Sequence, residues 1–251
     1  MSADNQTLPN VLENLNLIHQ GDMHALAKTI TMVENNPELV VPVVTNKTQI
    51  IGITGAPGVG KSTTVNSMIK FLRSIEMSVA VLAVDPSSPI TGGALLGDRI
   101  RLTEHFLDPH VFIRSLATRG HLGGLSATTA SAIAVTRHGN FDYIFVETVG
   151  VGQSEVEVMK YVDTVLIVLA PGMGDGIQAS KAGLLEIGDV YLVNKSDLDG
   201  AELLVRELEK SLNLMGPKKG WTPPILLGAM EKSDGISDLM DAIHAHKNSN
   251  D

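Results

Sequence analysis

From Gln49 onward, short apolar runs alternate with segments of helical length. The runs at 49–54, 79–84, 111–114, 143–147, 164–169, 189–193 and 224–227 predict seven strands. Each is brief and near-continuous in Val, Ile and Leu, the pattern of strands buried on both faces. Crossovers long enough for helices favour parallel pairing, so the expected fold class is α/β, with a mainly parallel, doubly wound sheet. Ahead of the first strand, residues from about Pro9 to Asn36 carry apolar positions at helical spacing, among them Leu26, Ile30 and Val33. Gly21-Asp22 interrupts them and reads as a helix stop followed by a new cap. Two short helices are therefore expected, forming a helical extension over 1–48 before a main domain over 49–251. A last helix is predicted near 235–246, followed by a polar tail from His246 to Asp251.

Composition sharpens this picture. A chain of 251 residues with 43% apolar content suits one α/β-sized domain with a large core, and leaves little room for a second. The formal charge of -9 argues against a surface built to coat a polyanion, so nucleic acid is a poor first partner. With no cysteine, disulfides and thiolate metal sites are excluded. The polar start, Met1 to Asn10, has no basic-then-apolar signal pattern, and no apolar run approaches the roughly 20 residues that span a bilayer. The expectation is a cytoplasmic protein with no membrane partner.

The strongest chemical signal is Gly55-Ala56-Pro57-Gly58-Val59-Gly60-Lys61-Ser62, which fits G-x-x-x-x-G-K-S between a predicted strand and a predicted helix. Glycines let successive backbone N–H groups turn inward around a phosphate, and the helix N-terminus adds its positive end. Lys61 places a charge at the β/γ oxygens, and Ser62 offers a hydroxyl to Mg²⁺. The candidate phosphate-binding set is Gly55, Gly58, Val59, Gly60, Lys61, Ser62 and Thr63, and the fold expectation becomes a P-loop nucleotide hydrolase.

A second signal follows the predicted strand at 189–193. Asn194-Lys195-Ser196-Asp197 resembles the N-K-x-D guanine motif. A carboxylate at Asp197 can accept from both N1–H and the exocyclic amine of guanine, whereas adenine presents an acceptor at N1. Asn194 and the stem of Lys195 would hold the loop and cover the ring. Ala229, after the last predicted strand, matches part of the S-A base-contact pattern, but Gly228 stands where serine is usual. Between these loops lie Asp85-Pro86-Ser87-Ser88, Gly97-Asp98-Arg99 and Glu147-Thr148-Val149-Gly150. Acidic residues at strand ends can hold Mg²⁺ directly or through water, and a glycine lets an amide approach a γ-phosphate. Helix capping is the competing reading for Asp85 and Asp98. Glu147 ends an apolar strand, where a carboxylate is costly to bury without a cationic partner.

Together these segments resemble the MeaB/ArgK family of cobalamin-enzyme chaperone GTPases, to which the human methylmalonic aciduria type A protein belongs. The resemblance is carried by DPSSPITGGALLGDRIR at 85–101, RSLATRGHLGGLS at 114–126, ETVGVGQSE at 147–155 and PGMGDGIQASKAG at 171–183. It implies a GTPase that assists an adenosylcobalamin-dependent acyl-CoA mutase, notably methylmalonyl-CoA mutase, by using GTP binding and hydrolysis to gate cofactor delivery. It further implies that Lys61 and Ser62 hold phosphate and Mg²⁺, that Asp85, Asp98 and Glu147 form an acidic metal and switch group, and that Asp197 reads guanine. On this reading Lys61, Glu147 and Gly150 are the catalytic candidates, and Ser62, Asp85, Asp98 and Glu147 the metal candidates. The segment around Gly174-Asp175 and Gln178 to Lys181 resembles the family's additional switch loop, with Gly176 where an acidic residue is usual. Family members commonly continue into a C-terminal helical arm that builds a homodimer. This chain ends at Asp251, so a dimer through that arm is not expected: either another interface serves or the protein is monomeric until it meets its partner.

The expected reaction is in-line attack of water on the γ-phosphate, with Lys61, Mg²⁺ and loop amides neutralising spreading charge. Gln153 could orient that water, although its spacing from Gly150 differs from the D-x-x-G-Q arrangement, and an interface role competes. Three other readings stand beside it: a metal-delivery accessory GTPase, an ATPase or kinase tied to amino-acid transport, and a nucleotide-dependent scaffold. The absence of cysteine and of a compact histidine cluster argues against the first, and Asp197 against ATP. His244 and His246, two apart near a helix end, read as solvated; His105, His110, His121 and His138 read as packing or surface residues. Trp221 reads as core packing.

Overall fold

All seven apolar runs form strands in the computed structural model, which describes residues 4–36, 38–42, 44–86, 99–118, 124–148, 157–172, 183–218 and 220–250. The strands are β1 (Gln49–Thr54), β2 (Val79–Pro86), β3 (Val111–Thr118), β4 (Tyr143–Thr148), β5 (Thr164–Leu169), β6 (Val190–Asn194) and β7 (Ile225–Gly228). They make one sheet in the order β3-β2-β4-β1-β5-β6-β7, with every pairing parallel. This order places β1 at the centre, and the parallel strands all point their carboxyl ends to one edge of the sheet, where ligands of open α/β sheets bind.

Side chains alternate across β1, and each face has its own core. Ile50 joins Leu82, Val84, Ile144 and Val146 beneath α1 (Asp4–His19), α2 (Met23–Asn35) and α4 (Gly124–Arg137). Ile51 and Ile53 face the other way, with Phe145, Leu166 and Val168, beneath α3 (Lys61–Ser74) and the C-terminal helix α6 (Ile236–Asn250). A third cluster packs Ile167, Tyr191 and Val193 against Leu204 and Leu208 of α5 (Ala201–Met215). Helices on both faces explain why the strands read as unbroken apolar runs.

The two N-terminal helices form where the spacing predicts them. The Asp22 carboxylate accepts from the N–H groups of His24 and Ala25 at 2.8 and 3.0 Å, capping α2. Leu26, Ile30 and Val33 are fully buried in the same core as the sheet. No helix among the described residues is long and apolar enough to cross a membrane.

Two features differ from the sequence reading. First, β3 runs to Thr118 rather than 114, in register with β2 from Val79↔Val111 to Pro86↔Thr118. Arg114 breaks the apolar pattern, yet its guanidinium reaches Glu34 at 2.7 Å and Thr31 at 2.9 Å on α2, so the charge is paired without ending the strand. Second, residues 246–250 are helical rather than a polar tail, and His246 is buried rather than solvated. Its ring packs edge-on to Trp221 at 5.1 Å and is hydrogen-bonded to Thr164 Oγ1 at 2.9 Å, while Lys247 Nζ donates to the Lys47 carbonyl. These tertiary contacts hold the last turn, which local polarity alone would leave frayed.

Candidate functional site

The loop from Gly55 to Gly60 connects the end of β1 to α3. Gly55 lies so close to β5 that a β-carbon there would collide with the Val168 carbonyl oxygen. Gly58 and Gly60 take left-handed φ values of 81° and 96°, which favour glycine. Lys61 and Ser62 begin the helix and are buried. Thr63, in the same first turn, is half-buried. Lys61 Nζ donates to the carbonyls of Gly55 and Ala56 at 2.8 and 3.2 Å, so its ammonium curls over the mouth of the loop. The first N–H groups of α3 have no acceptor four residues earlier within the helix, which suits the loop to an anion.

Glu147 reaches the same place from the next strand. β4 pairs with β1 in register Ile53↔Glu147, which sets this carboxylate beside the loop, and Ser62 Oγ donates to Glu147 Oε1 at 2.7 Å. The side chain is only 4% exposed. The backbone of Asp85 lies at the same edge, because β2 pairs with β4 through Val84↔Thr148. Asp98, Gly150, Gln153 and the loop around Gly174-Asp175, Gly176 and Gln178 to Lys181 lie outside the described residues.

The second loop leaves β6 at Asn194, which is buried and joins three elements. Its Nδ2 donates to the Val59 carbonyl at 2.9 Å, and its Oδ1 accepts from the Met230 N–H at 3.1 Å. Lys195, in left-handed conformation at φ 57°, donates through Nζ to the Gly58 carbonyl at 2.8 Å. Asp197 projects into solvent beyond it, and buried Ala229 follows β7 beside it. The residues predicted to bind phosphate and those predicted to read a base are therefore hydrogen-bonded into one edge-on assembly. Within the described residues, every predicted site side chain that the structure defines lies on this edge.

One contact here is invisible to motif reading. Lys232 Nζ lies 2.6 Å from Asp197 Oδ2 and holds that carboxyl below the usual carboxylate range. Lys232 falls in a charged turn with no motif of its own, and only the fold brings it across from β7 to the loop after β6.

A separate cluster occupies the opposite end of β5 and β6. Asp189 accepts from Lys218 Nζ at 2.7 Å and from the Val165 N–H at 2.8 Å, and His246 Nε2 stands 3.7 Å from it. Trp221 Nε1 donates to the Asp189 carbonyl, so the half-buried indole closes a polar joint rather than a purely apolar core. Burial lowers the pKa of His246 against the opposing pull of Asp189, and lowers that of His105 near α3 as well, where Glu104 pulls the other way. A histidine with a depressed native pKa binds its proton more readily when unfolded, at about 6.5, so stability is lost as pH falls below that value. The melting temperature should decline from pH 7.5 to 5.5, and the double variant His105→Gln, His246→Gln should flatten the decline. A wild-type melting temperature that holds steady over this range would contradict the assignment.

Comparison with known proteins gives this edge its context. A family model described as methylmalonyl Co-A mutase-associated GTPase MeaB matches residues 26–251. A protein of Pyrococcus horikoshii is 47% identical over 251 residues, covering 96% of this chain and 78% of that one. The GTPase ArgK of Escherichia coli is 35% identical over 246 residues, covering 92% of this chain and 74% of its own. Among solved structures, a LAO/AO transport system kinase superposes with a TM-score of 0.71 at 26% identity, covering 96% of this chain and 76% of that chain. The chain is thus a GTPase of the P-loop fold, and it belongs to the MeaB family.

Proposed function

We propose that this GTPase, with Mg²⁺, uses its nucleotide cycle to gate an adenosylcobalamin-dependent acyl-CoA mutase such as methylmalonyl-CoA mutase. The observation that supports the reading best is the meeting of Lys61, Ser62 and Glu147 at the mouth of a loop that Asn194, three residues before Asp197, ties to Met230, the residue after Ala229. Phosphate chemistry and base recognition then share one frame.

The oxygens of Ser62 and Glu147 are hard donors of the kind that Mg²⁺ takes, and their close approach fits them to its shell, with Asp85 and Asp98 as further candidates. Such an ion supplies charge neutralisation at the β/γ oxygens. Lys61 turns its ammonium from the Gly55 and Ala56 carbonyls to the γ-phosphate and follows the negative charge that spreads over its oxygens during in-line attack by water. The amides of Gly58, Val59, Gly60 and Thr63 hold the remaining oxygens, and the Gly150 amide senses the γ-phosphate. Asn194 and Lys195 keep the base slot registered on the phosphate loop, and Asp197 accepts from guanine. The protein's contribution is positioning; a mutase that supplies a further cation would accelerate the step.

The test is GTP turnover, with ATP as control, by the protein alone and with methylmalonyl-CoA mutase holoenzyme at equal ionic strength. GTP but not ATP should be hydrolysed, and the mutase should change the rate. Turnover of GTP that no mutase alters would leave the hydrolase intact and remove the client.

A further inference from the structure

We propose that Lys232 is a positioning residue for base specificity, holding the Asp197 carboxylate in the orientation that accepts both guanine donors. The inference rests on Asp197 being the guanine-reading group.

Asp197 lies on a loop whose backbone is held by hydrogen bonds and whose side chain stands out toward solvent. The loop is held by the Ser196 N–H to the Gly228 carbonyl at 3.1 Å and the Leu198 N–H to the Lys195 carbonyl at 3.0 Å. The Asp197 side chain is 45% exposed, and the Lys232 ammonium at 2.6 Å is its side-chain partner. An unrestrained carboxylate must give up its rotamer freedom when a two-point ligand docks, which weakens binding. A cation already seated on one oxygen removes part of that loss. It does not block the ligand, since a carboxylate offers about four lone-pair sites.

The neighbouring position explains why a lysine takes this role. In the S-A pattern a serine would precede Ala229, but here Gly228 does, and it brings no hydroxyl. A β-carbon at 228 would strike the Met230 methyl and come within 3.0 Å of the Asp234 carbonyl oxygen and 3.2 Å of Leu192 Cδ1. That crowding comes from the turn that follows. Ala229 and Asp234 exchange hydrogen bonds at 3.2 Å, Met230–Lys232 form one 3-10 turn, and Ser233 closes it at φ 56°. Met230 is fully buried, with its carbonyl held by Ser67 Oγ and its N–H by Asn194, so the turn is rigid at its base. Its tip carries Lys232 over Asp197. The same tight turn that crowds position 228 presents the ammonium beside it. Consistent with this, hydrogen bonding from Lys232 is the largest influence keeping Asp197 ionised.

The experiment is equilibrium binding of fluorescently labelled GDP and IDP to the full chain and to Lys232→Met, Lys232→Arg and Asp197→Ala. Inosine lacks the exocyclic amine, so IDP offers one donor to Asp197 where GDP offers two. Lys232→Met should weaken GDP by about two- to fivefold, the range of an exposed ion pair, and IDP by less, narrowing the GDP:IDP ratio. Lys232→Arg should restore the ratio. An equal loss for both nucleotides, or no loss for either, overturns the inference if Asp197→Ala still abolishes the preference for GDP. If Asp197→Ala binds GDP as the parent does, the guanine-reading assignment itself fails, and the role of Lys232 falls with it.

Discussion

Lys61→Ala lowers the rate of GTP hydrolysis by about a hundred- to a thousandfold, the usual cost of removing one preorganised charge from a phosphoryl-transfer site. The size follows from where the side chain sits. Lys61 is 8% exposed, so its ammonium acts in a setting from which most water is excluded, and the Gly55 and Ala56 carbonyls hold it ready over the loop. Among the described residues, the other lysines of this edge are engaged elsewhere: Lys195 with the Gly58 carbonyl and Lys232 with Asp197. Single-turnover hydrolysis at saturating GTP isolates the chemical step from binding. The lysine caps no helix and fills no apolar core, so circular dichroism and the melting temperature should stay close to those of the parent. A variant that keeps more than a tenth of the parent rate would show that Lys61 is not the charge that matters.

The same residue shows what a sequence can carry. G-x-x-x-x-G-K-S is legible because each position answers a local demand: left-handed φ at Gly58 and Gly60, close approach to Val168 at Gly55, a helix start at Lys61. The seven strands are legible for a related reason, since burial on both faces makes each an unbroken apolar run. Contacts that depend on two distant segments meeting leave no such mark. His246 lies next to polar residues in the chain and reads as solvated, yet Trp221 and Thr164 bury it. Arg114 reads as the end of a strand until Glu34, 80 residues earlier in the chain, is brought beside it. Lys232 reads as one charge among several, and only the turn after β7 aims it at Asp197. Glu147 falls between these cases: its cost of burial marks it from sequence, but its partner Ser62, 85 residues away, becomes visible only in the sheet register.

Asn194→Ala destabilises the native fold by about 2–6 kcal/mol, because truncation leaves both the Val59 carbonyl and the Met230 N–H buried without their partner, at about 1–3 kcal/mol for each group. For a domain of this size the melting temperature should fall by on the order of 10 °C. The damage is also functional, since this amide is the tie that registers the base-reading loop on the phosphate loop. Gly60 shows how tight that tie is: a β-carbon there would collide with Asn194 Nδ2, so the phosphate loop passes the amide with no room for a side chain. Asn194→Asp separates the two halves of the effect. It keeps the acceptor for Met230 but sets a carboxylate oxygen against the Val59 carbonyl oxygen, so it should lose at least as much nucleotide affinity as alanine does. Ligand-induced stabilisation reads this directly: saturating GDP raises the melting temperature in proportion to RT ln(1 + [GDP]/Kd), and both variants should show a smaller rise than the parent at the same GDP concentration. If Asn194→Ala melted like the parent and gained the same number of degrees from GDP, the amide would be an ordinary loop contact, and the two loops would have to be held together by the Lys195 bond to Gly58 and by packing around Met230.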